Sequence, residues 1–134
     1  MKRMNGAWWA CAALVGLVVV GSPQAAPPAD DIGNIMKVKL HHTQQLIGAI
    51  VTEDYPAVTQ HAGALELLSH DAGWMVLQTR DYRRHSDDFR RQTSAIVTAA
   101  KKESLDGVTL GYVQMTLSCV ECHKHVRDVR RRGE

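Results

Sequence analysis

The stretch VTLGYVQMTLSCVECHKHVRDV, residues 108–129, decides how this chain folds. Val108, Tyr112, Met115, Cys119, Cys122, Val126 and Val129 follow one another in steps of four and three without a break. That spacing keeps every one of them on a single stripe of an α-helix, the pattern of a seam that packs against other helices. It also places both cysteines on the stripe that faces the core.

Working back toward the N-terminus, Ser104-Leu105-Asp106-Gly107 breaks the pattern, with Asp106 the expected N-cap of this last helix. Before it, Tyr82, Phe89, Ile96 and Ala100 mark the inward side of a helix over about residues 82–102. Residues 71–81, with Gly73, Trp74 and Met75, read as a turn. Val58, Ala62, Leu65, Leu68 and Ala72 define a second helix, which Pro56 opens at a position where its missing N–H costs nothing. Ile32, Met36, Leu40, Ile47 and Ile50, with Thr43 in the gap, define a first helix from Asp31 to about Glu53. No segment alternates in the manner of a strand. Four helices with short connections predict an all-α protein, an antiparallel up-down-up-down four-helix bundle. In that topology the end of the last helix lies beside the start of the first. Met36 and Leu40, with Leu68, His70, Tyr82, His85 and Phe89, are then the expected neighbours of the two cysteines, and His61 falls toward the other end.

Cys119-Val120-Glu121-Cys122-His123 is the arrangement that attaches a haem. Two thiols three residues apart lie on one helix face, so each closes a thioether to one vinyl group, and the next histidine turns toward the iron as proximal ligand. Covalent capture suits a small domain that buries too little of a haem to hold it by packing. The competing readings are weaker. A redox Cys-x-x-Cys pair needs a βαβ setting, absent here. A zinc site needs two further ligands at short spacing; His125 supplies one, and there is no second cysteine pair.

Residues 1–25 read as a secretory signal peptide. Lys2 and Arg3 precede an apolar run from Ala7 to Val20, too short to span a bilayer, and cleavage is expected after Ala25. Cys11 lies inside the run without a lipobox, which argues against a lipoprotein. Residues 26–134 then form one domain whose two cysteines both belong to the motif, so no thiol remains for a disulfide. Without Lys2 and Arg3, 14 basic residues stand against 14 acidic ones, a balance that does not support nucleic-acid binding. The cluster Arg127, Arg130, Arg131 and Arg132 suits a last helical turn, where cations complement the helix dipole.

A C-terminal Cys-x-x-Cys-His in an exported four-helix chain resembles the class II c-type cytochromes, the cytochrome c′ group. Arg127, four residues after His123, stands where that family carries a basic residue beside the proximal ligand. The resemblance spans the mature chain in helix layout and is specific over Cys119 to Arg127. It implies one covalent haem c per chain and a periplasmic location. It also implies exchange of electrons with redox partner proteins of the envelope or binding of diatomic gases, and a homodimer through the first two helices. It implies, finally, either a five-coordinate iron or a sixth ligand from a methionine of the first helix.

Met36 is the candidate distal ligand, since it lies on the inward stripe at the haem end and carries a donor sulfur that raises the reduction potential; the competing role is a core methionine. Met75 is a loop alternative, and Met115 belongs to the core seam. His41 and His42 point sideways into solvent, His70 and His85 read as rim residues, and His125 faces away from His123. The chain carries no nucleotide loop and no general-base constellation, so an enzyme acting on an organic substrate is not expected. An electron carrier ligated by His123 and Met36 leads; a binding protein for nitric oxide or carbon monoxide is the alternative, and a peroxidase-like activity, for which only His85 offers a distal base, ranks last.

Overall fold

Three short breaks cut the described chain into helices, and each is made by a residue that satisfies the next helix's first N–H groups. Asp54 accepts from the Ala57 N–H at 3.0 Å, with Pro56 in the first turn. Thr79 Oγ1 accepts from the Tyr82 N–H at 3.1 Å. Ser104 Oγ accepts from the Gly107 N–H at 3.3 Å. The computed structural model describes residues 29–133, and the expected signal segment lies outside the described residues. Helix α1 spans Ala29–Val51, α2 Tyr55–Leu68, α3 Arg80–Ala100 and α4 Leu105–Arg132, with a 3-10 turn at Ala72–Trp74 between α2 and α3. Among the described residues there is no strand, and no helix is long and apolar enough to cross a membrane. The protein is an all-α four-helix bundle.

Direction is fixed within two helix pairs by residues that meet across them. His42 meets His61 between α1 and α2, and the same pair closes at its turn through the Asp54 N–H on the Ala49 carbonyl. Gly107 faces Ala99, Gly111 faces Ile96 and His125 faces His85 between α3 and α4. In both pairs rising numbers on one helix meet falling numbers on the other, so both are antiparallel.

The core forms where apolar stripes meet: Leu46 and Ile50 of α1, Val58, Ala62 and Leu65 of α2, Phe89 and Ile96 of α3, Val108 and Met115 of α4. On α3 the stripe is regular, with Tyr82, Ser86, Phe89, Thr93, Ile96 and Ala100 all buried. Of its three hydroxyls, those of Ser86 and Thr93 bond back to carbonyls of their own helix, Ser86 to Tyr82 and Thr93 to Phe89 and Arg90, and that of Tyr82 donates to the Trp74 carbonyl, so burying them leaves nothing unpaired. Arg90 reaches across to the end of α2, where its guanidinium donates to the Ser69 hydroxyl and carbonyl.

Three details depart from the sequence reading. The cap of α4 is Ser104, so Asp106 sits in the first turn, where a carboxylate still complements the helix dipole. Helix α2 stops at Leu68, which leaves Ala72 in the 3-10 turn. The inward face of α1 is rotated about one residue from the expected stripe. Leu40 and Ile47 are 58% and 40% exposed, whereas Lys39, Leu46, Ala49 and Ile50 are buried. A lysine standing on the true inward stripe hid it from a reading that counted only apolar side chains.

Candidate haem-attachment site

Helices α1 and α4 touch at few places, and the gap between them is a groove of about 410 Å³. Gly33, Met36, Lys37, Lys39, Leu40 and Thr43 form its α1 wall, and Thr116, Cys119 and His123 its α4 wall. The three- and four-residue steps of α4 place Thr116, Cys119 and His123 on one bank. Cys122 is turned one stripe further toward the core. Both cysteines are free and half-buried. Burial pushes the Cys122 thiol up, and the nearby Lys39 ammonium opposes it.

The partial desolvation of the His123 ring, reinforced by the charges of Lys39 and Arg127, holds its pKa below the ordinary imidazole value. The neutral form that results is the one able to bind iron. Arg127 is exposed, so it acts on His123 from the solvent side. The residues fit a covalent haem: two thiols and a neutral imidazole lie within one helical turn and a half of α4, and a mostly apolar groove opens beside them. Among the described residues no three His, Cys, Asp or Glu side chains converge to hold a bare metal ion, so the zinc alternative gains no further ligands.

Met36 is half-buried on the groove wall facing Cys119 and His123, which brings the expected distal candidate and the motif together. Leu40 shares that wall despite its exposure. Met115 is fully buried in the core. Met75, half-buried, packs against the core and is not on the groove lining.

Among the histidines, His42 departs from the expectation. His42 is half-buried, not solvated, because its Nδ1 lies 3.0 Å from Nδ1 of His61 on α2. His85 packs against His125, ring centroids 5.8 Å apart, on the opposite side of α4 from the groove, and His125 Nε2 lies 2.8 Å from Thr79 Oγ1. His70 is exposed near Leu67 and Asp71. Neither His70 nor His85 lines the groove with His123.

Two residues here were not singled out from the sequence. Trp74, in a segment that reads as a loop, is 2% exposed; its Nε1–H donates to Ser86 Oγ at 2.9 Å, and its carbonyl accepts from the Tyr82 hydroxyl. Burial, with Cys122 nearby, pushes the Tyr82 phenol up to about 12, so it remains a donor. Lys39 is the second: its Nζ sits over the rings of Trp74 and Phe89. The chain matches no family model, no curated protein and no solved structure.

Proposed function

We propose that this chain is an exported, mono-haem c-type cytochrome of the cell envelope, with the periplasm as its compartment and electron transfer between redox partner proteins as its work. The observation that carries the reading is the meeting of Cys119 and His123 with Met36 across one groove, with Cys122 half-buried beside them on the same helix. Bound there, a haem supplies a one-electron couple on iron.

The rest is done by the chain. Cys119 and Cys122 hold the macrocycle by two thioethers, and His123 presents a neutral imidazole. Met36 offers a thioether from the facing helix, a pairing that sets a high reduction potential. Apolar groove walls keep water from the iron and lower the reorganisation that electron transfer needs. Arg127 steadies the proximal side, and with Arg130, Arg131 and Arg132 it gives this end of α4 a positive surface for an acidic partner. No catalysis on an organic substrate is part of the proposal.

The test is Met36→Ala in the haem-loaded protein. The wild type should be low spin with the weak near-infrared sulfur-to-iron band, and the variant should become high spin and bind carbon monoxide. A wild type that is already high spin and takes up carbon monoxide freely makes Met36 a wall residue. Binding of nitric oxide or carbon monoxide is then the function, with Leu40 and Thr43 lining the distal side.

A further inference from the structure

Among the described residues, Lys39 is the one charged side chain that is buried, with 7% of its surface exposed. Its Nζ lies 4.2 Å from the centroid of the Trp74 ring and 4.0 Å from that of Phe89. Lys39 lines the groove with Cys119 and His123, and its charge acts on both cysteines of the motif and on His123. The ion pairs of the described residues leave it without a carboxylate.

Such a placement is costly. Burial alone pulls the amine toward its neutral form. The two aromatic faces pull the other way, because ring quadrupoles attract a cation most strongly where water is excluded. A leucine or methionine would fill this part of the core with no charge to desolvate. The position therefore keeps a cation that packing does not require, framed by two rings and close enough to act on both motif cysteines.

That neighbourhood says which part of the cofactor it faces. The vinyl-derived thioethers and the two propionates occupy opposite edges of a haem, so a group beside both cysteines stands at the thioether edge. A propionate counter-ion would stand at the other. Resting on the haem reading above, we infer that Lys39 is a potential-setting and positioning residue: its ammonium, held by Trp74 and Phe89 against the thioether edge, favours the reduced state of the iron. A fixed cation in a poorly polarisable site disfavours the added positive charge of the oxidised centre, and salt screens it little.

The experiment is a redox titration of the haem-loaded wild type, Lys39→Met and Lys39→Arg, with the axial-ligand spectrum recorded for each. Methionine keeps an unbranched side chain one atom shorter and removes the charge. Lys39→Met should lower the midpoint potential enough to cut the ferrous-to-ferric ratio at a fixed applied potential by roughly tenfold or more. Lys39→Arg should restore most of the loss, with the ligand spectrum unchanged in both. An unaltered potential in Lys39→Met overturns the inference, and so does a loss of the sixth ligand in that variant, which would make the amine itself a ligand. If Lys39→Met does not mature, the wild type still decides. Nitrogen-15 resonances of the Lys39 ammonium should shift strongly between oxidised and reduced protein, and a resonance indifferent to the iron's state refutes the placement. A wild type that carries no haem refutes the proposed function instead, so the two failures are distinct.

Discussion

Gly111→Ala tests the packing of α3 against α4, the helix that carries the Cys-x-x-Cys-His motif. A Cβ added at Gly111 would lie 2.7 Å from Ile96 Cγ1 and 3.6 Å from the Ile96 backbone nitrogen. Ile96 is fully buried, and the clashing atom sits next to its backbone, so it cannot swing aside as the tip of a long side chain can. The helices must part by several tenths of an ångström, and overpacking of that kind costs about 1–3 kcal/mol. Replacing a mid-helix glycine by alanine returns about 1 kcal/mol of backbone entropy. The net expectation is a loss of about 1 kcal/mol. Gly48→Ala is the control, because a Cβ there meets nothing within 4 Å. It should show only the propensity gain of up to about 1 kcal/mol, so the two variants should differ by about 2 kcal/mol. Urea titrations of the haem-loaded proteins, followed by helical circular dichroism, measure the difference. At about 4–8 °C per kcal/mol, thermal melts should separate the two clearly. A Gly111→Ala protein as stable as Gly48→Ala would refute the contact with Ile96 and the α3–α4 register built on it.

Two further outcomes follow from local features. Glu103 holds a left-handed φ of 52° between α3 and α4, so Glu103→Gly should stabilise the protein by about 1 kcal/mol, visible as a raised urea midpoint; a lowered midpoint would contradict the assigned backbone. Burial and the neighbouring His61 and His41 hold the His42 pKa below its ordinary 6.5, so the fold binds fewer protons there than the unfolded chain. That contribution is fully present above pH 6.5 and is lost as the pH falls through the depressed folded value. Denaturation midpoints should decline on mild acidification, and His61→Gln should flatten the decline; an unchanged slope would refute the coupling.

The chain displays its fourth helix openly and its first only in part. Val108, Met115 and Val129 are buried where the seam of α4 requires, because every residue on that stripe is one that apolar surroundings accept. On α1 the same rule fails at Lys39. A lysine reads as solvent-facing, and its burial depends on Trp74 and Phe89, which come from a loop and from another helix. Trp74 is hidden for a related reason: nothing local says that a tryptophan between Gly73 and Met75 folds back on Ser86 and Tyr82. The pairing of His42 with His61 depends on the register between α1 and α2, which helical periodicity within either segment does not contain. Cys119, Cys122 and His123 stand out as the proposed attachment residues because their spacing along one helix is itself the signal. Met36 was legible because helix order alone sets it opposite them, whereas the cation beside them was not.

The central claim is covalent attachment of one haem by Cys119 and Cys122. Its most direct measurement is the intact mass of the full chain after export from cells that carry a cytochrome c maturation system. The mature wild type should exceed the mass of its polypeptide by one haem that acidified organic solvent does not extract, and Cys119→Ser or Cys122→Ser should lose that normal double attachment. A wild-type protein at the mass of the bare polypeptide would contradict the account.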